Sequence, residues 1–283
     1  MVTIVRGIRR GPQVMIGKPC GADDRETILA PLMVTKLSVV VPAYNEEERL
    51  GATFDRLLEY LASQPRAWEL VVVDDGSRDG TRALVEAAAA KHPEVRLIAN
   101  GRNRGKGYSV KHGMLAATGD AVLFSDADLS SPIEEVEKLL PMLEAGHDVV
   151  IGSRDIIGSK IEVPQPLHRR VMGYSFMVLR DWIAVSGFRD TQCGFKLFRR
   201  QAAQEVFARS RVDGFCFDVE ILAIAKTLGY RMCEIPVVWR NDERSKVNPI
   251  GDPLKMFLDL FRIRFNILRG VYGRRQSLTT PGT

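Results

Sequence analysis

The 283-residue chain lacks any run of uncharged apolar residues near the roughly eighteen that a membrane-crossing helix needs, so no span is expected. Its four cysteines (Cys20, Cys193, Cys216, Cys233) are far apart and form no CxxC pair. That argues against a zinc site or a disulfide framework and fits a reducing compartment. The four histidines, His92, His112, His147 and His168, show no ligand spacing and are expected at the surface. Two phosphate-binding patterns are missing as well. Three residues rather than four separate Gly101 from Gly105, Gly107 rather than Ser or Thr follows Lys106, and no GxGxxG fingerprint occurs. Strong charge imbalance is absent too: the net charge of +5 suits an anionic partner only weakly and gives no reason to expect nucleic acid. Residues 1–32 have no apolar signal-peptide core and carry scattered Arg, Gly and Pro. The expectation for residues 1–35 is a disordered extension, or a translation start at Met33.

What is present is an ordinary globular composition, 45% hydrophobic and 27% charged, with length enough for one large or two modest domains. From Lys36 onward apolar strands alternate with helical stretches. Leu37–Val41 leads into a helix reaching Ser63, Leu70–Val73 into a helix over Thr81–Lys91, and Val95–Ala99 into a helix ending at Ala117. Further strands are expected at Ala121–Ser125, Val149–Gly152 and Arg231–Trp239. Short connections between alternating elements predict an α/β fold with a mostly parallel sheet and right-handed crossovers.

Each of the first four strands runs into polar, acidic or Gly-rich residues, as expected if one crevice is built from successive strand ends. Asp126 and Asp128 follow the buried-looking run Ala121–Ser125. Two carboxylates there need a compensating cation, and hard oxygen ligands suit Mg²⁺ or Mn²⁺ shared with a diphosphate. A solvated Asp-Ala-Asp turn is equally open on the tripeptide alone. Asp75 can accept a hydrogen bond from a base or ribose while Gly76 and Ser77 turn the backbone away, or Ser77 and Asp79 can cap the next helix. Tyr44 offers a stacking face and Glu46 an acceptor beside it. Gly101–Gly107 reads as a basic loop that places Lys106 near the crevice.

In order and spacing, Pro42-Ala43-Tyr44-Asn45-Glu46-Glu47, Asp74-Asp75-Gly76-Ser77, Asn103-Arg104-Gly105-Lys106-Gly107 and Asp126-Ala127-Asp128 resemble the family 2 inverting glycosyltransferases of the GT-A fold. The resemblance covers about Lys36 to Trp239. It implies a Rossmann-like sheet flanked by helices, with Pro42, Ala43, Tyr44, Glu46, Asp75, Gly76, Ser77, Lys106, Asp126 and Ala127 around the nucleotide. It also implies that Asp126 and Asp128 hold Mg²⁺ or Mn²⁺, Asp128 most directly. Val150–Arg154, Arg169-Arg170, Arg189–Phe198 and Phe217–Glu220 are similar to the polyprenyl-phosphate sugar synthase branch, in particular to dolichyl-phosphate β-glucosyltransferases. Mannosyl relatives carry Gln two residues beyond the second Asp, where this chain has Ser130, so the third metal ligand is open. The resemblance thus implies transfer of glucose from UDP-glucose to a polyprenyl or dolichyl phosphate. GDP-mannose as donor, a non-catalytic nucleotide-sugar scaffold and a nucleotidyltransferase are the competing readings.

A lipid phosphate is already a good nucleophile at neutral pH, with a second pKa of about 6, so positioning and charge stabilisation should dominate. Arg154 and Arg169 are the expected holders of the acceptor phosphate, because Arg presents a planar fork. Asp190 and Gln192 are expected at the sugar hydroxyls, and Asp218 is expected to cap a helix over Val219–Lys226. Within 246–275, the polar residues Lys255, Asp259, Arg262, Asn266 and Arg269 form one stripe on an otherwise apolar helix broken by Arg264. That helix is expected to lie in a membrane interface or to pack on the core, with Leu167–Val185 a second membrane candidate and 276–283 a tail. The eukaryotic glucosyl relatives carry an N-terminal membrane anchor, and no such apolar run stands in residues 1–32. A catalytic domain over 36–245, attached peripherally to the cytoplasmic face of a membrane, is the resulting expectation.

Overall fold

The structure, a computed structural model, describes residues 33–163, 167–241 and 251–273, with backbone alone at 167–172. The start at Met33 is therefore not addressed by it, and the 276–283 tail lies outside the described residues. The first half alternates strictly: β1 (Lys36–Ala43), α1 (Glu47–Ser63), β2 (Ala67–Asp74), α2 (Thr81–Ala89), β3 (Val95–Ala99), α3 (Lys106–Ala116) and β4 (Ala121–Ser125). The second half is less regular: α4 (Val136–Glu144), β5 (Val149–Ser153), β6 (Lys160–Val163), α5 (Leu167–Ile183), β7 (Phe195–Arg199), α6 (Arg200–Arg209), α7 (Phe217–Thr227), β8 (Met232–Pro236), β9 (Val238–Arg240) and α8 (Gly251–Leu268).

The strands form a seven-stranded sheet in the order β3-β2-β1-β4-β7-β5-β8, plus a β6-β9 pair. Val39, Val41, Leu70, Val72, Leu123 and Leu197 pack into one core, whereas Val40, Val71, Val73, Val122, Phe124 and Phe198 pack into another on the opposite face. Burial on both faces explains why these strands read as continuous apolar runs rather than alternating ones. Each such side chain contributes about 1.5–3 kcal/mol when fully buried.

Chain direction decides where a ligand can sit. From β1 the chain moves one way to β2 and β3, then returns to place β4 on β1's other side, and all of these pair in parallel. That reversal is a topological switch point, and the crevice opens beyond the carboxyl ends of β1 and β4. Pro42-Ala43-Tyr44 and Asp126-Ala127-Asp128 occupy those two ends.

Two features differ from the sequence expectation. β7, unassigned from sequence, runs antiparallel to both β4 and β5. The single strand expected over Arg231–Trp239 divides at Val237 into β8 and β9, which belong to different sheets. Pro236 ends β8, and a proline has no N–H to continue a ladder. Glu69 ties the parallel half together: Ser38 and Thr118 donate to its Oε1 (2.5 to 2.9 Å), and Arg96 reaches its Oε2 at 3.1 Å. Burial opposes this charge, but those donors outweigh it and hold the carboxyl down to about 2, so the link stays ionised at all ordinary pH values.

Candidate active site

Two of the strand-end loops are stitched to each other. The Asn45 amide donates to Ser77 Oγ at 2.9 Å, and Asn45 Oδ1 accepts from the Arg78 amide at 2.8 Å. Asn45 takes φ +53°, a left-handed value that Asn tolerates better than most residues. Ser77 is thus a loop-to-loop acceptor, while Asp79 accepts from the Thr81 amide at 3.1 Å at the start of α2. Tyr44 is half-exposed at the crevice and makes no side-chain hydrogen bond to a described residue.

Two acidic residues expected to face a nucleotide are already engaged. Glu46, buried, takes both Nε and Nη2 of Arg49 at 2.5 Å. Asp75, only 3% exposed, accepts from Asn100 Nδ2 (2.8 Å), the Arg104 amide (3.0 Å) and the Gly105 amide (2.9 Å). Its carboxylate therefore folds the Gly-rich loop around itself, and an incoming base would compete with three donors. Asp75 thereby shapes the turn that delivers Lys106.

Lys106 begins α3, and its Nζ lies 2.7 Å from Asp126 Oδ1. Burial works against the ammonium, but Asp126, Asp218 and Asp128 outweigh it and raise the Lys106 pKa. The antiparallel β7 brings the other wall. Ser125 pairs with Phe195, so Gly194 falls beside Asp126, whose amide donates to Gly194 O at 3.1 Å. A Cβ at Gly194 would collide with the Asp126 carboxylate, which is the reason for glycine there. After Asp126 the chain turns through Leu129 at φ +45°, an unusual value for a Leu of the kind that gathers at functional sites. This turn aims Asp128 back at the crevice. Its Oδ1 accepts from the Ser130 amide at 2.9 Å.

The carboxylate pair fits a divalent cation. Asp126 Oδ1 is buried yet accepts no well-aligned hydrogen bond among the described residues. Burial, and then the like charge of Asp126, push the Asp128 carboxyl pKa up against the pull of Ser130 and Lys106. No group of three or more His, Cys, Asp or Glu ligands occurs among the described residues, so most of a metal's coordination would come from ligand oxygens and water.

Beneath the pair lies a buried ion pair that sequence reasoning missed. Lys196 on β7 is fully buried; its Nζ donates to Asp218 and to Cys193 O at 2.6 Å. Lys106 and Lys196 both face the Phe124 ring, at 5.6 and 5.7 Å from its centroid. Asp218 makes no capping bond to α7, contrary to the expectation for it. The signal in the sequence was Lys196 itself, a cation inside the apolar run Phe195–Phe198.

Arg154 follows β5 and meets Asp190, which precedes β7. Asp190 accepts from Arg154 N, Nε and Nη2 at 3.0, 2.6 and 2.8 Å, and from the Gln192 and Cys193 amides at 3.1 Å. Burial disfavours its charge, but Arg154 more than offsets this and holds the carboxyl below its usual range. Five donors surround the Asp190 carboxylate, which fixes the Arg154 guanidinium in place. The planar fork of Arg154 is likewise spent on Asp190; the guanidinium lies 5.1 Å from the Trp239 ring centroid, with Nη1 left to donate elsewhere. Gln192 is half-exposed with no side-chain bond to a described residue. Arg169 lies in α5, and its side chain is outside the described residues.

This crevice has known counterparts. A family model described as glycosyl transferase family 2 matches residues 38–207. The chain belongs to that family. The glycosyltransferase is 37% identical over 255 residues to the human protein named dolichyl-phosphate beta-glucosyltransferase, spanning 86% of this chain and 79% of the relative. A Dictyostelium discoideum protein of the same name is 35% identical over 248 residues, spanning 83% and 76%. Mannosyl-3-phosphoglycerate synthase from Rubrobacter xylanophilus superposes with a TM-score of 0.62 at 20% identity, covering 87% of this chain and 77% of that one. Glucosyl-3-phosphoglycerate synthase from Mycobacterium tuberculosis, solved with Mn²⁺, UDP-glucose and phosphoglyceric acid, gives 0.57 at 19% identity, covering 86% and 81%. The expected GT-A fold, a mostly parallel sheet flanked by helices, is borne out.

Proposed function

We propose that this glycosyltransferase moves glucose from UDP-glucose to dolichyl or another polyprenyl phosphate, with inversion at the anomeric carbon. The observation that carries the reading is the match, over more than four fifths of the chain, to relatives named dolichyl-phosphate beta-glucosyltransferase. The geometry supports it. Asp126 and Asp128 would hold Mg²⁺ or Mn²⁺, which when bound supplies Lewis-acid charge at the diphosphate. Lys106, already at Asp126, adds a positive charge on the same side, and Tyr44 offers its ring to the base. Arg154, through Nη1, and Arg169 hold the acceptor phosphate; Gln192 meets the sugar. The phosphate oxygen attacks the anomeric carbon as the bond to UDP breaks, and no strong base is required because the acceptor is already deprotonated.

A lipid acceptor needs a membrane-facing surface. Here α8 packs on α5 and α7 through Leu260 and Ile263, while Leu258, Phe261, Phe265 and Leu268 point outward. Trp182 of α5 is 89% exposed. The polar stripe lies between the buried and outward apolar faces, so one helix serves the core and a bilayer interface together. The enzyme then works peripherally, at the cytoplasmic face. No helix among the described residues is long and apolar enough to cross a membrane.

Offered labelled UDP- and GDP-sugars with polyprenyl phosphates, the enzyme is expected to form a lipid-linked product fastest from UDP-glucose, and to stop on chelation of divalent cations. No lipid-linked product from any donor would overturn the function, and preference for GDP-mannose would overturn the sugar. Replacing Phe261 and Phe265 together by Glu should lower liposome flotation by tenfold or more, since each lost Phe burial is worth about 1.5–3 kcal/mol. Unchanged flotation would exclude this face as the membrane contact.

A further inference from the structure

The turn that carries Lys106 does not stand on its own. Gly105, at φ +105°, has no room for a Cβ because Asp213 O occupies that space, and Gly107 is closed in the same way by Val212 O, Gly214 O and Phe217. The Tyr108 amide donates to Asp213 O at 3.2 Å. Residues 211–214 are therefore a bed of backbone carbonyls directly under Lys106.

That bed is tied down by one carboxylate. The amides of Arg211 and Val212 both donate to Glu220 Oε2 at 2.8 Å. Glu220 is fully buried in the first turn of α7. Its other oxygen, Oε1, accepts the Tyr272 hydroxyl at 2.8 Å, and that hydroxyl in turn accepts from Asn266 Nδ2 in α8 at 3.1 Å. Tyr272 is 1% exposed. A continuous polar path thus runs from the end of α8, through Tyr272 and Glu220, to the loop under Gly105 and Gly107, and so to the Lys106 ammonium 2.7 Å from Asp126.

Lys106 must meet both Asp126 and a diphosphate, so small shifts of its backbone change the donor contact directly. We propose that Glu220 and Tyr272 are positioning residues for the donor nucleotide, acting through the 211–214 loop and Lys106. The inference rests on the reading that a nucleoside diphosphate binds at Asp126, Asp128 and Lys106.

The test is calorimetric UDP binding with Mn²⁺ to the full chain, with steady-state kinetics alongside. Tyr272→Phe is expected to weaken UDP binding and raise the donor KM roughly three- to tenfold, a part of what one lost hydrogen bond to a carboxylate is worth. The acceptor KM and kcat at saturating donor should stay within about twofold. Glu220→Gln, a second conservative variant, should act on the same parameters. In a Lys106→Ala background Tyr272→Phe should add nothing further, since the path then ends at a missing ammonium. A lowered melting temperature with unchanged UDP affinity, or equal losses in both backgrounds, would overturn the inference alone. Wild-type protein that binds no UDP would overturn the donor reading and this inference with it.

Discussion

Asp128→Asn is expected to reduce sugar transfer by about a thousandfold or more and to remove the metal-dependent part of UDP binding, without unfolding the protein. The magnitude follows from Lewis-acid stabilisation worth several kcal/mol, each 1.4 kcal/mol being about tenfold in rate. The absence of unfolding follows from local electrostatics. Asp128 is half-buried beside Asp126, and both desolvation and that like charge disfavour its ionised form. An amide of the same shape removes the repulsion and can still accept from the Ser130 amide, now 2.9 Å from Asp128 Oδ1. The melting temperature should therefore hold or rise. Calorimetric titration of UDP with and without Mn²⁺ separates binding from chemistry, and retained metal-dependent binding would remove Asp128 from the metal site.

Lys196→Met should have the largest effect on stability, a loss of about 3–5 kcal/mol, the usual cost of leaving one member of a buried pair alone. Lys196 has no exposed surface and bonds both Asp218 and the Cys193 carbonyl. Without it Asp218 keeps only Lys106 as a compensating charge, at the wrong end of the site. Burial already pushes the Asp218 carboxyl pKa upward against the pull of its lysines, so in the variant it should take up a proton. Chemical denaturation measures the loss. Lys196→Met combined with Asp218→Leu should recover most of it, because the uncompensated charge is gone. A single-variant cost below about 1 kcal/mol would mean that the pair is not a buried ionic contact.

Much of the strand-end arrangement was legible because local sequence and tertiary position agree there. A parallel strand buried on both faces leaves an apolar run, and its carboxyl end has to be polar, so Tyr44, Asp75, Lys106, Asp126 and Asp128 announce themselves in order. The roles of individual carboxylates were not legible. Asp75 and Asp190 look like ligand groups in sequence, yet Asp75 is engaged by donors 25 to 30 residues away and Asp190 by Arg154, 36 residues away, as well as by the neighbouring Gln192 and Cys193 amides. β7 escaped because five residues carrying Lys196 and Arg199 match neither period. Its identity depends on β4 and β5, to which no local pattern points. The α8 stripe was read correctly as a stripe, but an apolar circumference does not say which side turns inward; Leu260 and Ile263 do so only once α5 and α7 are in place.

The reversed direction of β7 has one more consequence. Because this strand runs against β4, its beginning, rather than its end, lies at the crevice, and the Asp190–Gly194 segment arrives there from the second half of the chain. The crevice is thus walled by an earlier and a later stretch of polypeptide that meet where β4 pairs with β7. The joint there is broad, a five-residue antiparallel ladder from Ala121 opposite Arg199 to Ser125 opposite Phe195, extended by the Asp126 amide on the Gly194 carbonyl, so the two walls of the crevice cannot shift independently.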